Sequence, residues 1–103
     1  MRHFFRTHVQ PADVMTSADA FFAALGLRAI QTSARSRTFQ GVVGTPEVVA
    51  TMRLTVKPEG GHYTFVEVQT DQMGESRLDR NVKRFFVGLR RVEDPRHALE
   101  AAY

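Results

Sequence analysis

The chain has 103 residues, 43% of them hydrophobic and eight of them Phe, which is apolar mass enough for the core of one domain spanning 1–103 and too little for two. It has no Cys, which excludes disulfide stapling and thiolate metal sites and points to a cytoplasmic setting. No stretch nears the roughly eighteen apolar residues of a membrane span, and Met1-Arg2-His3-Phe4-Phe5-Arg6 is too charged to be a secretion signal, so no membrane partner is expected. The net charge of +3, from 14 basic and 11 acidic residues, falls short of a dedicated nucleic-acid-coating protein.

Residues 3–9 are rich in aromatic and β-branched types and stop before Pro11, which predicts a first strand. Val14, Ala18, Phe21, Phe22 and Leu25 then recur at helical spacing. They predict a helix over 11–25 that Gly26 ends as the residue after the C-cap. Two short extended runs, 29–34 and 38–43, flank a polar turn at Arg35-Ser36, and the second ends at Gly44-Thr45-Pro46. The clearest strand covers 48–57, where Val48, Ala50, Met52, Leu54 and Val56 alternate with more polar residues. Pro58-Glu59-Gly60-Gly61 predicts a tight hairpin, returning through a fifth strand over 62–70. There Thr64, Val66 and Val68 share one face, while Tyr63, Phe65, Glu67 and Gln69 share the other.

Ser76-Arg77-Leu78-Asp79 has the form of a capping box, with Asp79 as a short substitute for Glu. It opens a second helix reaching about Val92, whose apolar stripe is Leu78, Val82, Phe85, Phe86 and Leu89. Asp94-Pro95 predicts one further short helix through His97, Leu99 and Ala102.

The element order β-α-β-β-β-β-α predicts an α+β fold. Strands 2 to 5 form a meander, strand 1 pairs with strand 5, and both helices cover one face of a curved, five-stranded antiparallel sheet. In this order and these lengths, over nearly the whole chain, it resembles the TATA-binding-protein-like and helix-grip folds, and more distantly START and pollen-allergen-like domains. The resemblance implies that the open face of the sheet is a binding surface, used in the TATA-binding-protein-like family for nucleic acid. A ferredoxin-like arrangement is the alternative, but it needs a second long helix where only Gly44-Thr45-Pro46 stands.

No catalytic or metal site is expected. His3 and His8 fall on opposite faces of a strand, and His62 and His97 are scattered. Ser76 lacks the second glycine of a nucleophile elbow and is accounted for as a helix cap, while Glu75 and Asp79 suit the positive end of a helix dipole. Gly41, Gly44, Gly60 and Gly61 do not precede helices as phosphate loops do, so no cofactor is expected either.

Two surfaces remain as candidates. Arg53, Tyr63 and Phe65 on the outer sheet face form an expected interaction face, with Tyr63 and Phe65 beside Thr51, Arg53 and Thr55 across the hairpin. Arg77, Arg80, Lys83, Arg84 and Arg91, with Arg90, form a basic face of helix 2 in which six bases meet the single acid Asp79 between 77 and 91. The first predicts a non-enzymatic binding or assembly module, self-associating or an accessory subunit of a larger complex. The second predicts a nucleic-acid-binding domain. A small apolar-ligand carrier would need a cavity between sheet and helix 2 lined by Met52, Leu54, Val66, Val68 and Phe85, and the short loops predict a filled core there instead.

Overall fold

A computed structural model describes residues 1–44, 47–72 and 76–93. Strand β1 (Arg2–Thr7) leads into helix α1 (Pro11–Ala24), and four strands follow: β2 (Arg28–Thr32), β3 (Ser36–Val43), β4 (Val48–Glu59) and β5 (Tyr63–Thr70). Helix α2 (Arg77–Glu93) completes the fold. Thr45 and Pro46, Glu75, and the short helix expected over Asp94-Pro95, His97, Leu99 and Ala102 lie outside the described residues.

The five strands form one antiparallel sheet in the order β1-β5-β4-β3-β2, so the N-terminal strand adds beside the last strand of the meander. Strand β1 ends two residues sooner than expected, because the Thr7 hydroxyl accepts a hydrogen bond from the Val9 amide at 3.1 Å and turns the chain out of the sheet. Strand β4 runs on through Pro58 to Glu59. Its pairing with β3 ends at Thr55, so Pro58 sits where the strand has a neighbour on one side only, the position in which a missing N–H is tolerated. Gly60 and Gly61 make the β4–β5 turn with φ of 59° and 74°, values that L side chains adopt only under strain.

Period-two alternation sends His3, Ala50, Met52, Leu54, Val66 and Val68 to the same side of the sheet, where they meet Val14, Met15, Ala18 and Phe22 of α1 and Leu78, Val82, Phe85 and Leu89 of α2. Both helices therefore cover one face, and the other face is open. Four apolar positions depart from expectation: Val48, expected on the apolar face of β4, is 46% exposed, Phe21 is only partly buried, and Leu25 and Phe86 are the other two. Leu25 is 37% exposed, because it is the C-cap and the helix has already begun to unwind there. Phe86 is half-buried at the margin, stacked on Phe5 with ring centroids 5.0 Å apart.

Gly26, at φ 87°, ends α1 with paired bonds from the Gly26 amide to the Ala23 carbonyl and from the Leu27 amide to the Phe22 carbonyl. This reversal buries Leu27 directly over Gly41 of β3. A Cβ at position 41 would stand 2.6 Å from Leu27 Cδ2 and 3.0 Å from the Gly26 carbonyl oxygen.

Candidate functional site

The open face is built from the outward-pointing positions of three adjacent strands: Arg2, Phe4 and Arg6 of β1, Phe65, Glu67 and Gln69 of β5, and Arg53, Thr55 and Lys57 of β4. Phe4 and Phe65 stack with centroids 5.5 Å apart and planes at 22°, and Phe4 is 53% exposed. The Arg2 guanidinium lies 5.1 Å from the Phe4 ring centre while donating to Glu67 Oε1 from Nη2 at 2.7 Å and from Nε at 3.1 Å. Arg6 repeats the motif one pleat along, 5.0 Å from the Phe65 ring centre and 3.5 Å from Glu59. Two aromatic rings, each carrying a guanidinium that is itself paired to a carboxylate, thus form a platform at the β1–β5 side of the sheet. Beside it lies a concavity of about 570 Å³ whose lining includes Arg6, Arg35, Thr55, Lys57 and Phe65.

Of the residues singled out by sequence, Phe65 lies at the centre of this platform. Tyr63 stands at its end, 48% exposed and 4.5 Å from the His8 ring. Arg53 does not join them. The hairpin pairs Tyr63 with Glu59 and Phe65 with Lys57, whereas Arg53 faces Gln69, six residues and roughly 20 Å along β5 from Tyr63. Of the expected neighbours of Tyr63 and Phe65, Thr55 stays diagonal to Phe65, whereas Thr51 and Arg53 are corrected to Lys57 and Glu59, because the register pivots on Gly60 and Gly61. Arg2, Phe4 and Arg6 are not among the residues singled out by sequence, although positions 4 and 6 share one face of the strand expected over 3–9 beside the fifth strand; Arg2 joins that face because β1 starts one residue earlier.

On the opposite side of the molecule Arg77, Arg80, Lys83, Arg84 and Arg91 are all exposed along α2. Arg90 leans over Phe5, 5.6 Å from the ring centre. Asp79 does not temper this ridge, because its side chain turns inward and is fully buried. Its Oδ1 accepts from His3 Nε2 at 2.7 Å and from the Thr70 hydroxyl at 2.9 Å, and its Oδ2 accepts from the Ser76 hydroxyl at 2.7 Å. The Asp79 amide donates back to Ser76 Oγ at 3.1 Å, which completes the capping box. Burial pushes the Asp79 carboxyl up, but the hydrogen bonds from His3, Ser76 and Thr70 outweigh it and hold the group below the ordinary 3.8.

His, Asp and Ser thus meet, but with the carboxylate in the middle. The Ser76 hydroxyl donates to Asp79 and, among the described residues, meets no imidazole, so these contacts have the connectivity of a structural joint. Among the described residues no three His, Cys, Asp or Glu side chains come together as a metal site would need. Met52, Leu54, Val66, Val68 and Phe85 belong to one continuous buried cluster, and the apolar concavity the surface does present, about 400 Å³, lies between the helices at Phe21, Phe85, Gly88 and Leu89. No described helix is long and apolar enough to cross a membrane. No family model matches the chain, and no curated protein matches it.

Proposed function

We propose that this chain is a non-enzymatic interaction module that pairs with a second copy of itself through the open face of its sheet, within a TATA-binding-protein-like or helix-grip arrangement. The observation that carries this reading is the stack of exposed Phe4 on half-buried Phe65, with Arg2 and Arg6 laid on its rings. Rigid aromatics flanked by Arg are the side chains that dominate the centres of protein interfaces, because they bury large areas at little entropic cost.

The charges around the stack favour a protein partner there over a polyanion. Glu67 and Glu59 already face Arg2 and Arg6, so the platform carries both signs in one patch. A twofold contact requires a patch that complements itself, and mixed charge around an apolar centre meets that requirement. The remaining cations of this face, Arg53 and Lys57, would form its rim.

Sedimentation analysis over a concentration series tests the reading. The protein should approach a dimer as concentration rises, and Phe4→Ser combined with Phe65→Ser should return it to a monomer with its melting transition intact. A chain that remains monomeric at every concentration overturns the self-association.

A further inference from the structure

We propose that the basic ridge of α2 is a docking surface for the phosphate backbone of duplex nucleic acid, independent of the sheet face and on the other side of the molecule. The ridge is Arg77, Arg80, Arg84 and Arg91, all exposed and, among the described residues, in no ion pair. Two features leave it uncompensated among the described residues. The one acid between 77 and 91, Asp79, is buried under the helix and committed to His3, Thr70 and Ser76. Glu67, Glu59 and Asp19 are held by Arg2, Arg6 and Arg37 of the sheet.

The geometry suits an extended row of phosphates. From Arg77 to Arg91 the helix rises about 21 Å at ~1.5 Å per residue, a length that spans several phosphates of a duplex whose two strands together carry one charge per about 1.7 Å of axis. The other polyanionic surfaces fit less well. A membrane-surface helix needs an apolar face to insert, and that of α2 is spent on the core, leaving Val87 and Val92 as its exposed large hydrophobics. Single strands are held by aromatic stacking, and the ridge has no aromatic side chain. Its guanidinium groups match the geometry of phosphate oxygens, the contacts that fix a protein on the duplex.

Fluorescence anisotropy with a labelled random-sequence DNA duplex tests the assignment. Four phosphate contacts predict a slope of log K against log salt between about −3 and −4, so that affinity falls on the order of a hundredfold between about 50 and 200 mM salt. Arg80→Ala combined with Arg84→Ala should lower the magnitude of that slope by about two. Arg53→Ala with Lys57→Ala, on the open sheet face, should leave binding unchanged. The proposal is overturned if the unaltered protein shows no salt-dependent binding to the duplex, or if the Arg53/Lys57 pair weakens binding as much as the Arg80/Arg84 pair. It is equally overturned if phosphatidylserine–phosphatidylcholine vesicles, single-stranded DNA or polyglutamate bind better than the duplex.

Discussion

Asp79 shows how one side chain can serve two elements. As the third helical residue it closes the capping box with Ser76, and as a buried anion it takes the His3 ring of β1 and the Thr70 hydroxyl of β5. Replacing it by Ala leaves those donors buried without their acceptor, so Asp79→Ala should lose about 3 kcal/mol of unfolding free energy in urea titration. The more modest Ser76→Ala should lose about 1 kcal/mol by the same measurement. Because the folded state holds the Asp79 carboxyl below 3.8, its contribution is complete above that value and is lost as pH falls through the lower folded value. Asp79→Asn should therefore flatten the acid side of the stability profile, and an unchanged acid slope would show that the carboxylate contributes nothing. Gly41 is a second residue with no substitute. Its Cβ would collide with Leu27 and the Gly26 carbonyl, so Gly41→Ala should lower stability by about 1–3 kcal/mol, read from the shift in denaturation midpoint.

At the level of elements, the hairpin between β4 and β5 makes the clearest prediction. Both turn glycines sit at positive φ with open space around the missing Cβ, so Gly60→Ala and Gly61→Ala should each cost about 1 kcal/mol through backbone strain alone, and an Asn at either position should cost less. The same turn shows where the amino-acid pattern is readable and where it is not. Alternation over β4 and β5 and the helical stripes identify every described element to within two or three residues, because periodicity depends only on which residues face the core. Register depends on where the chain reverses, and a shift of the pivot moved Arg53 away from the aromatics it was expected to join.

The His3–Asp79 joint was less accessible still, since no periodicity says which inward polar side chain will find which other across 76 residues. The available clue was that His3 and Thr7 occupy inward positions of β1 and that Asp79 adjoins the buried stripe. Buried polar groups in such places must find partners. The Arg-on-ring platform was hidden for a different reason: it is assembled from β1 and β5, at opposite ends of the sheet's chain order, and neither strand alone displays it.

The whole molecule is a two-layer slab, 38 by 36 by 22 Å, with one sheet and one layer of helices. That thinness gives it two broad faces of different character. The sheet side mixes aromatic rings with paired charges of both signs, while the helix side carries a row of Arg that is in no ion pair among the described residues. Like-charged ridges repel, so self-association through α2 is disfavoured and should appear only at high ionic strength, whereas pairing through the sheet should be largely indifferent to salt. Light scattering in low and high salt separates these behaviours, and a sheet-mediated dimer that dissociates in high salt would contradict the apolar centre assigned to it.

The placement of β1 has a consequence for how the chain is made. Among the described residues β5 is its one strand partner, and the partner of its buried His3 is Asp79, so a strand that precedes the meander in the chain is among the last elements to find its place. The meander of β2 to β5 forms from neighbouring hairpins, whereas closure by β1 spans more than fifty residues and must wait for the far end of the sheet. Until then Phe4 and Phe5 lie outside the sheet, and β5 presents an open edge. That edge is the point at which β1 of a second copy can pair in place of the chain's own.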